Sequence, residues 1–257
     1  MPLELRLLEM GRADVPGPEL YWMSGWDEWF PLSFQVALVR GDGITALINT
    51  GPAQDLGPMN EQWIKVLGER APMRRQEGQF ITDQLAGLGI EPGDVTQVIL
   101  TPLQLYTVGN LLLFEQAEIC LSRQGWLHFH STHEHPHDNR ATSIPDDILV
   151  PLVTTVWPRV RLLDDADEIA PGLRTWVCGV HHRASMVVEV DTPAGLAAVS
   201  DAFFYAENVE QGIPIGISES MSEAIETYAR VRRTADFIVP LYDPKNAERY
   251  PDGIVGT

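Results

Sequence analysis

The sequence predicts an α/β protein of the α+β kind, in which helices lie outside two β-sheets. Two observations predict this class. Short β-rich segments occur in two groups along the chain, and segments with the apolar spacing of an amphipathic helix accompany each group. The 257 residues include 44% hydrophobic side chains, which is enough to form a substantial core. Because no internal repeat, low-complexity tract or long linker interrupts the chain, we expect a single domain over residues 1–257.

The first group of elements begins with a predicted β-hairpin. Gly41-Asp42-Gly43 is a turn sequence that separates two short segments rich in β-forming residues. A helix is predicted next, because apolar residues recur at helical spacing before Gly89. The predicted elements are strands at 34–39 and 45–49, a helix at 78–88, and strands at 95–101 and 118–121.

The second group repeats this order with more strands. Its predicted elements are strands near 159–163, 173–178, 185–190 and 196–200, a helix at about 219–233, and a final strand at 237–240. Ser218 or Ser220 is predicted to cap the helix, with Glu219 in its first turn. Short hydroxyl side chains are favoured at this position because they accept hydrogen bonds from free backbone N–H groups.

The charge of the chain limits the partners that it can have. Its 36 acidic and 18 basic side chains give a net charge of −18, which repels nucleic-acid phosphates and anionic lipids. No apolar run approaches the roughly 20 residues that span a bilayer, and the first residues lack the order of a signal peptide. Cys120 and Cys178 lie in apolar segments and are expected to be reduced core thiols. We therefore expect a cytoplasmic protein whose partner is a small molecule, with no nucleic-acid or membrane partner.

Several short motifs follow one another in a recognisable order. They are Asn49-Thr50-Gly51, Thr101 with Gly109-Asn110, Gly179-Val180-His181, Ser200-Asp201-Ala202, and residues 239–244. In this order and rough spacing, the chain resembles the metallo-β-lactamase superfamily from about residue 30 to residue 252. The helix before Gly89 and the segment Tyr205-Ala206-Glu207-Asn208 are most similar to the N-acyl-homoserine-lactonase branch.

This resemblance implies a fold, a pocket and an activity. The fold is a four-layer αββα sandwich of the metallo-β-lactamase type. The pocket would lie at the sheet edges, where the loops that carry residues 102–107, 181–185, 201–205 and 242 meet. The activity implied by the lactonase branch is that of a hydrolase.

The metal-ligand motif of the family is largely replaced in this sequence. The family pattern His-x-His-x-Asp-His corresponds to residues 102–107, which read Pro-Leu-Gln-Leu-Tyr-Thr, and the family's final histidine corresponds to Tyr242. Of seven ligand positions, only His181 and Asp201 keep a ligating side chain. Two ligands are too few for a catalytic zinc ion, which takes three protein donors. We therefore predict no metal at the ancestral site and no cofactor there.

Two interpretations of these replacements are open. The pocket is either the remnant of a decayed enzyme, which binds a ligand or nothing, or a site adapted to different chemistry. Adaptation is favoured because the replacing side chains carry hydrogen-bonding groups, and buried polar groups require partners. These side chains are Gln104, Tyr106, Thr107 and Tyr242.

The leading hypothesis is a metal-independent hydrolase of a small lactone, ester, amide or related carbonyl compound. Asp201 would orient His181 as the general base, and Tyr106 or Tyr242 would donate to the developing oxyanion. The predicted substrate-binding residues are Gln104, Thr107, His182 and Ser185. The alternatives are a lyase or isomerase that uses the same His and Tyr groups, and a non-catalytic ligand-binding or partner protein.

Five of the seven histidines lie in one short segment. They are His128, His130, His133, His135 and His137. The segment is either an incidental surface tract, a displaced zinc or iron site that serves a hydrolase, or a lid that binds substrate or senses pH. The residue pattern does not choose among these interpretations.

An aromatic cluster precedes the predicted hairpin. It consists of Trp22, Trp26, Trp29 and Phe30. We interpret it as part of the core or as a dimer contact rather than as the lining of an acyl or aryl pocket. Together with the resemblance to lactonase-branch proteins, it leads us to expect a homodimer.

Overall fold

The computed structural model of the protein describes residues 2–131 and 140–257. Its strands are β1 (Glu4–Pro16), β2 (Trp29–Gly41), β3 (Ile44–Ile48), β4 (Gln97–Leu100), β5 (Glu118–Ser122), β6 (Val160–Leu163), β7 (Ala166–Ala170), β8 (Leu173–Val177), β9 (Met186–Thr192), β10 (Gly195–Ser200), β11 (Phe237–Pro240) and β12 (Ile254–Val255). Its α-helices are α1 (Gly17–Leu20), α2 (Gly57–Leu67), α3 (Ile81–Gly87), α4 (Leu105–Val108), α5 (Arg123–Phe129), α6 (Asp146–Leu152), α7 (Ala206–Gln211), α8 (Met221–Thr234) and α9 (Asn246–Arg249).

The larger of the two β-sheets has the strand order β12-β1-β2-β3-β4-β5-β6. β1 and β2 pair antiparallel along almost their whole length, and β2 turns back into β3 through the predicted hairpin. From β3 to β6, neighbouring strands are parallel. Because the carboxyl ends of parallel strands meet at one edge, the loops after β3 and β4 open on the same side of the sheet.

The smaller sheet has the strand order β11-β10-β9-β8-β7. Its strands β7 to β10 pair antiparallel, whereas β10 and β11 are parallel. Asp201 follows the last residue of β10, and Tyr242 lies two residues beyond the end of β11. Because β10 and β11 are parallel, Asp201 and Tyr242 both lie just beyond the same edge of this sheet.

The two sheets pack face to face, and helices cover their outer faces. On β3, Ala46 and Ile48 belong to the core between the sheets, whereas Leu47 belongs to a second core under α3, α5 and α6. On the other side, α8 lies over the smaller sheet, and its Arg230 guanidinium stacks 3.8 Å from the ring centroid of Trp176 on β8. The predicted four-layer αββα sandwich is confirmed.

The predicted elements are all present, and one detail of the second helix is corrected. Ser220 is the N-cap of α8, and its hydroxyl accepts a hydrogen bond from the backbone N–H of Glu223 at 3.3 Å. Glu223 therefore lies in the first turn, and the prediction that Glu219 lies there is wrong. Glu219 precedes the helix, where its carboxylate forms an ion pair with Arg183.

The two cysteines are buried and free, as predicted. Burial raises the pKa of the Cys120 thiol to about 12, and burial also raises the pKa of Cys178. Neither thiol is therefore suited to act as a nucleophile. Within residues 2–131 and 140–257, no helix combines the length and the apolar character that crossing a bilayer requires.

Candidate active site

Asp201 lies at the centre of the region where the two sheet edges meet. Its carboxylate is fully buried, and Oδ1 accepts a hydrogen bond from the Thr101 hydroxyl at 2.5 Å. Oδ2 accepts a second hydrogen bond from the Ser185 hydroxyl. Burial raises the pKa of Asp201, and these two hydrogen bonds oppose part of that rise because they stabilise the charged form. The carboxylate is thus held in one orientation by side chains from both sheets.

His181 lies between Asp201 and an aromatic cavity. Its Nδ1 is 3.4 Å from Oδ2 of Asp201, and only 3% of the residue is exposed. The ring packs edge-on against Phe204, with 4.9 Å between centroids. His181, in the loop between β8 and β9, is therefore in close contact with Asp201, which follows β10.

The two predicted tyrosines lie together beside His181, whose ring centroid is 6.5 Å from that of Tyr242. The ring centroids of Tyr106, on α4, and Tyr242 are 6.1 Å apart, and Phe34 contacts both rings. Burial raises the pKa of Tyr242 well above 10, and the neighbouring Tyr106 and Asp201 raise it further. The Tyr242 hydroxyl is therefore a neutral group that can donate a hydrogen bond at physiological pH.

The cavity between these groups is small and mostly apolar. Its volume is about 70 Å³. Most of its wall is buried, and the half-exposed residues Asp14, Glu19, Leu67 and Tyr106 mark its opening. The lining residues are Asp14, Val15, Glu19, Leu32, Phe34, Trp63, Leu67, Tyr106, His181, Phe204 and Tyr242.

Glu19 is a cavity residue that the sequence did not single out. It belongs to the four-residue helix α1, and burial raises the pKa of its carboxyl to about 7. Asp14, on β1, is the other acidic residue of the lining, and it lies 3.4 Å from the guanidinium of Arg74. No local motif surrounds Glu19, so only the hydropathy contrast with its neighbour Leu20 could have drawn attention to it.

The four predicted substrate-binding residues lie beside or behind the aromatic cavity. Ser185 bonds to Asp201, and the Thr107 hydroxyl donates to the backbone carbonyls of Pro102 and Gln104. The Gln104 amide nitrogen is 3.4 Å from Nδ1 of His182, and both residues line a second cavity of about 20 Å³. Their proposed contact with substrate stays a prediction.

The residues at the ancestral ligand positions do not fit a two-metal centre. Thr107 caps its own turn, Tyr106 and Tyr242 pack among aromatic rings, and Pro102 contributes a carbonyl to Thr107. Among the described residues, no group of three or more His, Cys, Asp or Glu side chains is arranged to hold a metal ion. Zinc prefers imidazole, thiolate and carboxylate donors, and only His181 and Asp201 of these positions supply them.

The histidine segment is only partly described. His128 lines the second cavity with His182, and the exposed His130 packs against Trp126 with 4.4 Å between ring centroids. His133, His135 and His137 lie outside the described residues. The displaced metal site therefore stays a prediction.

The aromatic cluster before β2 is divided between surface and core. Trp22 and Trp26 are 52% and 66% exposed, so the core interpretation is wrong for these two. Phe30 packs against Tyr21 at 5.6 Å, and Trp29 lies under the guanidinium of Arg70. Both exposed rings lie in the turn segment between the end of α1 and the start of β2.

No known family model matches the sequence, and no curated protein matches it. Solved structures match closely in shape. One is an N-acyl homoserine lactone hydrolase with the product N-hexanoyl-L-homoserine at its catalytic metal centre: TM-score 0.80, 16% identity, 97% of both chains covered. A second is the AiiA protein of B. thuringiensis with N-decanoyl-L-homoserine at its active site: TM-score 0.79, 16% identity, 97% of both chains covered. A third, the dizinc quorum-quenching lactonase AidC, has a TM-score of 0.68 and 14% identity over 98% of this chain and 89% of its own.

The chain therefore has the metallo-β-lactamase fold. Within that fold, its structural neighbours are N-acyl homoserine lactonases and other hydrolases of the superfamily. At 16% identity this likeness shows the fold, and a shared fold does not by itself determine the chemistry.

Proposed function

We propose that the protein is a metal-independent hydrolase of a small ester, lactone, amide or related carbonyl compound. The observation that supports this proposal is the convergence of His181, Tyr106 and Tyr242 on one cavity, with Asp201 directly behind His181. A base and hydrogen-bond donors on either side of one small space are what acyl transfer to water requires. The hydrolase fold of the structural neighbours supports the same class by analogy.

In the proposed mechanism, His181 is the general base. Nδ1 of His181 faces Oδ2 of Asp201 at 3.4 Å, and a hydrogen bond from Nδ1–H to this carboxylate would fix the tautomer in which Nε2 accepts a proton. Nε2 takes one proton from a water molecule in the cavity, and the water oxygen attacks the substrate carbonyl carbon. The buried negative charge of Asp201 stabilises the imidazolium that forms.

The tyrosine hydroxyls stabilise the tetrahedral intermediate. Because the pKa of Tyr242 is raised, this phenol keeps its proton and can donate it in a hydrogen bond to the oxyanion. Tyr106 lies at the opening of the cavity, so its hydroxyl can approach a carbonyl that enters from solvent. Donors of this kind contribute about 10²–10³ in turnover when they are aligned with the developing charge.

The size and lining of the cavity restrict the proposed substrate. Pockets for drug-sized ligands occupy roughly 300–1,000 Å³, whereas this cavity has about 70 Å³. Phe34, Trp63 and Phe204 give it an apolar wall. We therefore propose a short, uncharged acyl group as the part of the substrate that enters.

A second candidate function is non-catalytic ligand binding. It is favoured by the same small volume and by the hydrogen bonds from Thr101 and Ser185, which already occupy the Asp201 carboxylate. In this function the tyrosine pair and His181 would hold a small carbonyl ligand without turning it over. Turnover of substrate distinguishes the two functions directly.

The test uses tag-free protein and two probes, 4-nitrophenyl acetate and ethyl acetate. We expect hydrolysis by the wild type and a loss of about 10²–10⁴ in kcat/KM for His181→Ala with the fold retained. Asp201→Asn should lose activity, and Asp165→Asn, an exposed aspartate, is the matched control. A wild type without activity on either ester, or a His181→Ala variant as active as wild type, would overturn the proposal.

A further inference from the structure

We propose that Glu19 is the general acid of the site and protonates the leaving group when the acyl bond breaks. This inference rests on the proposed hydrolase function and adds a residue and a step to it. His181 can remove a proton from water, but expulsion of an alkoxide needs a proton as well. Glu19 is a carboxyl group on the same cavity that the base mechanism leaves unused.

Hydrogen bonds hold the backbone at Glu19 and so determine where its side chain starts. The carbonyl oxygen of Glu19 accepts hydrogen bonds from the backbone N–H groups of Gly216 at 2.9 Å and Ile217 at 3.3 Å. A Cβ at Gly216 would overlap the carbonyl oxygen of Pro18, so α1 and this loop approach more closely than any other residue would allow. The short helix is thereby fixed against the second half of the chain.

Apolar side chains form a large part of the cavity wall around the Glu19 carboxyl. Val15, Leu32 and Leu67 share the cavity wall with it. Among the described residues, the Glu19 carboxyl forms no hydrogen bond and no ion pair, and Arg74 contacts the neighbouring Asp14 instead.

The other titratable groups near Glu19 come from four elements. Asp14 lies on β1 and Tyr106 on α4, while His181 and Tyr242 lie in the loops after β8 and β11. On the adjoining loop, Glu219 forms an ion pair with Arg183. Two arginines of this region are paired with other carboxylates: Arg74 with Asp14 and Arg183 with Glu219.

This environment gives Glu19 the protonation behaviour of a catalytic acid. Burial raises the pKa of its carboxyl to about 7, because the charged form loses hydration that nothing in the cavity replaces. A carboxyl with a pKa near the working pH holds a proton and can release it in the transition state. An exposed glutamate, with a pKa near 4.3, is ionised at neutral pH and has no proton to donate.

The proposed step balances in atoms and charge. The tetrahedral intermediate collapses, the C–O bond to the leaving group breaks, and the departing oxygen takes the proton of Glu19 to give an alcohol. The imidazolium of His181 and the carboxylate of Glu19 then return to their starting states by transferring one proton through water. The net reaction is ester plus water to carboxylic acid plus alcohol, with no other reactant.

The leaving group supplies the test. Ethoxide is a poor leaving group and needs a proton, whereas 4-nitrophenolate leaves without one. We expect Glu19→Gln to lower kcat/KM for ethyl acetate by about 10²–10³ and to leave 4-nitrophenyl acetate within about threefold of wild type. Wild-type turnover of ethyl acetate should fall as the pH rises through about 7, because Glu19 then loses its proton. This decrease with pH should be absent from the Glu19→Gln variant. Glu28→Gln, at an exposed glutamate, is the matched control.

Each other outcome has a distinct meaning. Equal losses on both esters would indicate a structural role for Glu19 and overturn the inference, as would no loss on either ester. Absence of wild-type activity on both esters would overturn the proposed hydrolase itself. An infrared titration gives a readout without turnover: a protonated carboxyl band should be present at pH 6 and absent from Glu19→Gln, and its absence from the wild type would also overturn the inference.

Discussion

Nδ1 of His181 lies 3.4 Å from Oδ2 of an Asp201 carboxylate whose two oxygens already accept hydrogen bonds from Thr101 and Ser185. The resemblance to the metallo-β-lactamase pattern places both residues at ligand positions. The neighbours of the Asp201 carboxylate here are two hydroxyl groups and an imidazole. The network holds the carboxylate in place with donors that the chain itself supplies. His181 and Asp201 therefore form a close imidazole–carboxylate pair.

Loss of the Ser185 hydroxyl should destabilise the protein. This hydroxyl donates to Asp201 and accepts from the backbone N–H of His182 at 3.0 Å, and the residue is fully buried. Ser185→Ala leaves both partners without this bond, so we expect the free energy of unfolding to fall by about 1–3 kcal/mol. Urea denaturation measures it, with Ser24→Ala as the exposed control. A change below about 0.5 kcal/mol would contradict the role assigned to this hydroxyl.

Glu19 should make stability depend on pH in a predictable direction. Its pKa is raised from 4.5 to about 7 in the folded protein, so the folded state holds the proton more tightly than the unfolded state. The stability contributed by protonated Glu19 is complete below about pH 4.5 and is lost as the pH rises through 7. At pH 8, Glu19→Gln should therefore be more stable than wild type by about 2–3 kcal/mol, and at pH 4.5 the two should agree. If wild type and Glu19→Gln have equal denaturation midpoints at both pH values, burial does not raise the pKa of the Glu19 carboxyl and the prediction is wrong.

Metal content is the third expectation. Tag-free protein should carry well under one equivalent of zinc, iron or manganese after dialysis, because only His181 and Asp201 offer donors at the ancestral site. Elemental analysis with anomalous scattering measures the amount and the position. A stoichiometric ion in the aromatic cavity would refute the metal-free mechanism. An ion lost when the five clustered histidines are replaced by Ala would identify the displaced site instead.

The cavity opening should control acyl-chain selectivity. Leu67 is half-buried at the opening, whereas Val66, its neighbour on α2, is 50% exposed and does not line the cavity. We expect Leu67→Ala to raise the ratio of 4-nitrophenyl hexanoate to acetate turnover by about tenfold, since contacts of this size discriminate methylenes by that order. Val66→Ala should leave the ratio unchanged. If the hexanoate-to-acetate ratio is the same in Leu67→Ala and Val66→Ala, the size of the cavity opening does not restrict the acyl chain.

The exposed tryptophans should form the predicted homodimer contact. Trp22 and Trp26 present large apolar rings to solvent, and tryptophan is enriched at interfaces between proteins. Sedimentation at micromolar concentration should show a dimer for the wild type. Replacement of both rings by Ser should give a monomer, with a mass close to the 28.6 kDa of one wild-type chain. A monomeric wild type would show that the two rings serve another purpose.

Some elements escaped prediction for identifiable physical reasons. β1 is 13 residues long, but a bulge between Glu9 and Gly11 shifts its register and breaks the two-residue alternation. In α2, only Met59 and Trp63 are buried, which leaves a weak amphipathic pattern. β7 is an edge strand with charged residues, so its sequence does not resemble that of a buried strand.

The order of strands and helices could be predicted from the sequence by itself, because it depends on local periodicity. The metallo-β-lactamase fold could be predicted too, from the resemblance of its motifs to those of that superfamily. Only the tertiary structure decided that Glu19 shares a cavity with His181, and that this cavity is small and aromatic. Residues more than 160 positions apart along the chain meet there, through the packing of two sheets and the approach of α1 to the loop at Gly216. The raised pKa of Glu19 follows from that packing, since loss of hydration is a property of the surroundings and not of the residue.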